Sequence, residues 1–250
     1  VNRPIAFVTS AASGLARGIV IDLARHGYDI ATTHRPDGTT MDETLGAARA
    51  AAGGDLAIEV YTADHAVAGQ TKAAIDAALA HFGRIDAYVH AVGPIVVKTF
   101  LKSTPDDARA MLAGNLESAI EAAFAVLPAM RERGYGRLVF FGMNGSEITQ
   151  PTRGMSLYGA AKAGVVAFAR VLALEEAAHG ITVNVIEPGD IRNKTVDRAG
   201  AKAIPANNPT GHAGSWEDIG YAIRFLISEE ASFINGMTMG VNGGLTAGHE

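Results

Sequence analysis

Short aliphatic runs alternate with alanine-rich stretches of helical period from one end of the chain to the other. Strands are predicted at residues 5–9, 29–33, 56–61, 85–91, 137–141, 181–186 and 237–241. Between them, the segments beginning at Leu15, Met41, Val67, Pro105, Leu157 and Trp216 carry apolar residues at helical spacing. Val165, Phe168, Ala169 and Leu172, for example, fall on one face. The predicted strands are apolar almost throughout rather than alternating, so both faces of their sheet must be covered. Strand, helix, strand in repetition specifies an α/β fold: a doubly wound parallel sheet of about seven strands with helices on both faces.

A chain of 250 residues can bury a substantial core without a second domain. No linker, charge block or repeat divides it, so residues 1–250 are expected to form a single domain. The one irregular excursion is residues 193–215, where Pro205, Pro209, Gly211 and Gly214 break the helical pattern near the end of a strand. Open α/β sheets place ligands outside those ends, which makes the excursion a candidate substrate lid. The absence of cysteine excludes disulfides, thiolate zinc sites, iron–sulfur clusters and a cysteine nucleophile. With 21 Lys+Arg against 26 Asp+Glu and no basic run, nucleic acid is not an expected partner. The first ten residues hold an apolar run of only four, Ile5–Val8, too short for a signal-peptide core. Glu121 and Arg170 interrupt the longest apolar stretches elsewhere. A soluble, cytoplasmic protein without membrane association is the expectation.

The 29 glycines exceed the usual share of roughly 7% and need placing. The first predicted strand ends in Thr9-Ser10-Ala11-Ala12-Ser13-Gly14-Leu15-Ala16 and runs directly into a helix. A turn of small residues lets backbone approach a pyrophosphate, whose charge the free N–H groups and positive dipole end of the helix attract. The turn resembles that of the short-chain dehydrogenase/reductase family, with its Thr-Gly-x-x-x-Gly-x-Gly pattern. Thr9 and Gly14 match, while Ser10 and Ala16 stand where two further glycines would be. The resemblance implies a Rossmann-like fold and cofactor contacts by Thr9, Ser10, Ala12, Ser13, Gly14 and Leu15. An ordinary strand-to-helix turn is the alternative, and Ser10 meets a steric cost if its position needs positive φ.

At the end of the second strand, where NAD-binding folds carry an acidic residue for the ribose 2′-hydroxyl, stand His34 and Arg35. A guanidinium suits a 2′-phosphate, so NADP is expected over NAD, with Asp37 nearby as a competitor for the arginine. Asp64, followed by His65, resembles the family's adenine-contacting aspartate. His90-Ala91-Val92-Gly93 takes the place of its Asn-Asn-Ala-Gly, with Gly93 the strict match. A satisfied core histidine is the other reading of His90.

Tyr158-Gly159-Ala160-Ala161-Lys162 sets a phenol and an ammonium on one helix face. A carbonyl reduced by hydride becomes an alkoxide and needs a proton, and a nearby Lys⁺ lowers the tyrosine pKa from about 10. The spacing alone is weak evidence, and a pair on the helix surface is the other reading. It follows the fifth strand as the family's Tyr-x-x-x-Lys does, and that likeness implies Tyr158 as proton donor and Lys162 as ribose ligand and tuner. Asn115 matches the asparagine that positions a water in the family's proton relay. The family's serine on the substrate carbonyl has no counterpart: counting from Gly136-Arg137-Leu138-Val139 reaches Met143, and counting back from Tyr158 reaches Gly145 and Ser146. Asn144 and Ser146 both offer a donor to a carbonyl, and the strand is the firmer anchor, which favours Asn144. Pro188-Gly189-Asp190-Ile191 resembles the motif that contacts the nicotinamide carboxamide, with Asn193 at its usual threonine. Glu217-Asp218-Ile219 and Val241-Asn242-Gly243-Gly244 resemble the closing helix and strand, so the likeness spans the chain.

The function these residues imply is NADPH-dependent reduction of a carbonyl, in the manner of 3-oxoacyl thioester reductases, to a secondary alcohol. The expected assembly is a homotetramer packed through the alanine-rich faces of the helices bearing Asn115 and Tyr158. Three alternatives stand beside it: NAD-dependent oxidation of a secondary alcohol or sugar, reduction of a carbon–nitrogen double bond, and a weakly catalytic NADP-binding regulator. Ser10, Ala16, His90 and Met143 motivate the last. No His-Glu-x-x-His, Gly-x-Ser-x-Gly or P-loop pattern occurs, and the 8 histidines are scattered, so no metal site is expected.

Overall fold

The aliphatic runs pair side by side as β1 (Ile5–Val8), β2 (Asp29–His34), β3 (Ile58–Thr62), β4 (Ala87–His90), β5 (Gly136–Phe141), β6 (Ile181–Pro188) and β7 (Thr238–Val241). The computed structural model describes residues 3–148, 151–191 and 196–245. The strand order is β3-β2-β1-β4-β5-β6-β7 and every pairing is parallel. β4 is shorter than its apolar run because the Ala91 N–H leaves the ladder and donates to Thr9 Oγ1 at 2.8 Å. That bond ties the ends of β1 and β4 together where the strand order reverses. Ligands of open α/β sheets bind in the crevice at such a point.

The helices are α1 (Gly14–Arg25), α2 (Asp42–Ala52), α3 (Gln70–Phe82), α4 (Pro105–Leu112), α5 (Ser118–Arg133), α6 (Ser156–Glu176), α7 (Arg198–Lys202) and α8 (Trp216–Ile227). Successive strand residues point to opposite faces, which builds two cores. Phe7, Tyr88, Leu138, Phe140 and Val183 pack with α3, α5 and α6, whereas Ala6, Val8, Val89, Val139 and Ile186 pack with α1, α2 and α8. Each fully buried valine, leucine, isoleucine or phenylalanine among them contributes about 1.5–3 kcal/mol of burial free energy. The stretches Pro105–Arg133 and Ser156–His179 are long and apolar enough to cross a bilayer, yet both contribute buried residues to the first core.

Asn115, expected in mid-helix, lies instead in a π-turn, Ala113–Glu117, that joins α4 to α5. Upstream, Thr104 starts α4 with a capping box to Asp107 and proline at the first helical position. Within the excursion, residues 196–215 form α7 and a loop closed by a bridge between Pro205 and His212. Ser215 then caps α8 through Asp218.

Candidate active site

The turn after β1 is shaped by its own backbone. Ser10 has φ +57°, the one positive φ outside glycine among the described residues, so the position does demand the left-handed region. A side chain there costs about 1–2 kcal/mol. Its N–H donates to Thr33 Oγ1 at 2.8 Å, and Thr33 Oγ1 also bonds His65 Nε2 at 2.8 Å. His65 Nδ1 in turn meets Thr71 Oγ1 at 2.9 Å. Burial pulls the His65 pKa down to about 4, so at neutral pH the ring is an uncharged strut under the turn. On the other side, Arg17 Nη2 donates to Ala12 O at 2.5 Å and Thr44 Oγ1 to Ala11 O at 2.8 Å. The carbonyls are thereby occupied, and Ser13 makes no side-chain cap to the first N–H groups of α1. Those donors are left for an anion. Gly14 opens the helix at φ +66°, and the methyl of Ala16 is accommodated within it, buried.

Two clefts meet over the sheet ends. The first, of about 410 Å³, is bordered by Ser10, Ala12, Ser13, His34, Arg35 and Asp64, with the His65 ring at its wall. The second, of about 270 Å³, is bordered by Leu15, Asn144, Tyr158, Lys162, Gly189 and Ile191, with Pro188 beside them. Ala91 and Gly93 border both and join them. Arg35 is exposed and pairs through Nε with Asp37 Oδ2 at 3.1 Å. His34 bonds Thr62 Oγ1 at 3.1 Å, while its buried Nδ1 has no partner among the described residues.

In the second cleft, Lys162 is buried and donates to Phe141 O at 2.8 Å. Gly93 permits this closeness: a β-carbon there would come to 3.0 Å of Asn115 Oδ1 and 3.2 Å of Lys162 Nζ. Asn115 Nδ2 donates to Pro94 O and Met111 O, each at 3.0 Å, and its buried Oδ1 is unpartnered among the described residues. Desolvation brings Lys162 down to about 7 and raises Tyr158 above its ordinary value. The expected acidification of Tyr158 by Lys162 is thus not the balance struck here. The ammonium lies 5.7 Å from the centre of the tyrosine ring and burial outweighs it. A phenol so placed stays protonated at neutral pH and is ready to donate.

Ser146 is committed elsewhere. Its hydroxyl donates to Glu187 Oε1 at 2.5 Å and accepts from the Met143 N–H at 3.2 Å. Glu187 also accepts from the Gly145 and Glu147 N–H groups at 3.0 and 2.8 Å. This buried carboxylate holds the loop after β5, and Asn144 is left as the amide on the cleft.

Two expected cofactor contacts lie elsewhere. Thr9 is fully buried and serves as the β1–β4 tie. His90 sits in the core, because on β4 it shares the face of Tyr88. Ser118 Oγ donates to Gly114 O at 3.0 Å, so His90 Nε2–H donates to Ser118 at 3.0 Å and Nδ1 accepts from Tyr88 at 2.9 Å. Burial drives its pKa well below the usual histidine range, and the neutral ring pins the π-turn to the sheet. Asn193 lies outside the described residues. Not foreseen were Glu187 and Arg17, which hold loops of the site, Asn242, which donates to Asn144 Oδ1 at 2.7 Å, and Thr39, which borders the first cleft. An acid directly before Pro188-Gly189 in a buried strand was the one available signal, for Glu187.

Residues 10–246 match the family described as enoyl-(acyl carrier protein) reductase. The chain is 32% identical over 249 residues to 3-oxoacyl-(acyl-carrier-protein) reductase FabG of Escherichia coli, with 96% of each chain covered. It is 34% identical over 245 residues to acetoacetyl-CoA reductase of Shinella zoogloeoides, covering 96% of this chain and 97% of that protein. Among solved structures, a variant of actinorhodin polyketide ketoreductase with NADPH matches with a TM-score of 0.86 at 25% identity, over 98% of this chain and 97% of that one.

Proposed function

The chain belongs to the short-chain dehydrogenase/reductase family, and from that premise we propose that it reduces the ketone of a 3-oxoacyl thioester or a similar small molecule to a secondary alcohol with NADPH. It is an NAD(P)-dependent oxidoreductase. The observation that carries the reading is the convergence of Tyr158, Lys162 and Asn144 on one cleft that continues into the anion-ready turn.

The donor set fits a dinucleotide. Uncapped N–H groups of α1 suit a pyrophosphate, and Arg35 with His34 suits a 2′-phosphate. A buried ammonium with one described acceptor and the unpartnered Asn115 Oδ1 suit ribose hydroxyls and an ordered water. NADPH, when bound, supplies the hydride. Asn144 Nδ2 donates to the ketone oxygen and stabilises the charge that grows on it. Tyr158 then passes its phenolic proton to that oxygen. Burial holds the phenol protonated, the state a proton donor to the ketone oxygen needs. The neighbouring cleft of about 510 Å³, bordered by Phe100, Met143, Met155 and Ala163, offers an apolar wall for an acyl chain. The names of the relatives FabG and acetoacetyl-CoA reductase support the thioester class.

NADPH oxidation with a panel of 3-oxoacyl thioesters, quinones, sugars and cyclic imines tests the proposal, with turnover expected on the thioester ketones. Turnover confined to cyclic imines would overturn the carbonyl assignment. Tyr158→Phe should lower kcat by about 10²–10⁴-fold while NADPH binding, followed by fluorescence, persists. A kcat near wild type would remove Tyr158 as the donor.

A further inference from the structure

Asn144 serves a carbonyl only if its Nδ2 end faces the cleft, and the partner that decides this sits 98 residues away. Asn242 follows β7 directly, held beside the end of β6 by the pairing of Pro188 with Val241 and by the Gly189 N–H donating to Val241 O at 3.0 Å. Its own amide has a single consistent orientation. Oδ1 accepts from the Gly244 N–H at 3.1 Å, and Nδ2 donates to Leu245 O at 2.8 Å. A backbone N–H can only donate and a carbonyl can only accept, so turning this amide over would set like against like at both contacts. The remaining Nδ2 hydrogen points to Asn144 at 2.7 Å, and the atom that receives it must be an acceptor, Oδ1. Asn144 is thereby turned with Nδ2 away from Asn242, and among the described residues no partner takes the Nδ2 hydrogens. Its backbone is fixed independently, by Glu187 holding the next residues, Gly145 to Glu147.

We propose that Asn242 is a positioning residue that orients the Asn144 amide with its donor toward the substrate oxygen. The assignment of Asn144 to the substrate carbonyl is the reading on which this rests. The family serine can rotate its single hydroxyl to suit a substrate. An amide has a donor end and an acceptor end, so an asparagine in this role needs a second group to choose between them. Asn242 relays that choice from the backbone of Gly244 and Leu245.

Asn242→Asp is the decisive change, because the carboxylate still accepts from the Gly244 N–H, gives up the bond to Leu245 O and presents an acceptor to Asn144. The Asn144 amide then turns over, donates to the carboxylate and shows Oδ1 to the substrate. With NADPH and acetoacetyl-CoA, kcat should fall about a hundredfold with KM moved far less, as for loss of an oxyanion donor. In an Asn144→Ala background the same change should leave kcat within about twofold, since the group it acts through is gone. Asn242→Ala, which leaves the amide free to choose, should fall between wild type and Asn242→Asp. An equal loss in both backgrounds, or an unchanged kcat in Asn242→Asp where Asn144→Ala is impaired, would overturn the proposal. A second measurement needs neither substrate nor cofactor. In nitrogen-labelled protein the Asn144 side-chain NH₂ signals, identified by their loss in Asn144→Ala, should shift in Asn242→Asp as they gain a carboxylate acceptor, and unmoved signals would overturn the orientation. Shifted signals together with full activity of Asn144→Ala would uphold the orientation and remove Asn144 from the chemistry.

Discussion

Lys162 stands out among single residues because it is a cation buried with one carbonyl acceptor among the described residues. Its pKa is about 7 in the folded chain and about 10.4 when unfolded, so the unfolded chain binds more protons between those values. The folding penalty is fully present below about pH 7 and disappears above about pH 10.4. Lys162→Met carries no such penalty, and its melting temperature should gain on wild type as the pH is lowered from about 10 to about 7. A difference that stays constant over that range would contradict the assigned burial. Arg35 raises a different question, since its guanidinium is shared with Asp37. Exposed pairs of this kind are weak, so Asp37→Asn should tighten NADPH severalfold at most and leave NADH unchanged in fluorescence titration. Equal tightening of both would remove Arg35 as the phosphate ligand. Arg35 and Asp37 were legible as competitors because they are two residues apart. The core placement of His90 was not legible, because it depends on which face of β4 meets α5.

Among the elements, α1 and α8 approach closely at Gly18. A β-carbon on Gly18 would come to 2.5 Å of Trp216 Cβ on α8, and Asp22 of α1 accepts from Arg224 of α8 at 2.6 Å. By helix propensity alone, Gly18→Ala should stabilise by about 1 kcal/mol. The contact reverses the sign, and denaturant unfolding should show a loss of about 1–3 kcal/mol from overpacking. A stabilised variant would mean that α8 can draw back. The other element-scale feature is the π-turn at Ala113–Glu117, set by Ser118, Gly114 and His90. Its residues read as continuous helix in sequence because the extra residue of a π-turn shows only in the backbone bonds. Strand and helix existence was legible from period except for α7, and several ends differ: β3 begins at Ile58, β6 runs on to Pro188, α3 begins at Gln70, and β4 stops at His90, where the Ala91 N–H leaves the ladder.

At the scale of the whole molecule, the sheet order brings the ends of β1, β4, β5 and β6 to one rim, and the chemistry gathers there. Opposite this economy of burial, α5 and α6 leave Phe124, Val171 and Leu174 exposed along the outer face. An apolar face of this kind suits copies of the chain packed against one another, and a homotetramer is the expected form. Gel filtration should return the mass of four protomers, and Phe124→Glu should lower it. A wild-type mass of one protomer would refute the assembly. Hydrophobic period and turn chemistry are local properties, set by residues a few positions apart. The α/β alternation was therefore legible in the sequence, as was the presence of a turn at Thr9 to Ala16 and of Tyr158 and Lys162 on one helix face. The engagement of Ser146 by Glu187, the burial of His90 and the acid that holds the loop at Gly145 rest on partners brought close by strand order. Glu187 and Asn242 reach that loop from the ends of β6 and β7. No spacing along the chain encodes those contacts, and only the folded sheet sets a donor and its acceptor within 3 Å of each other.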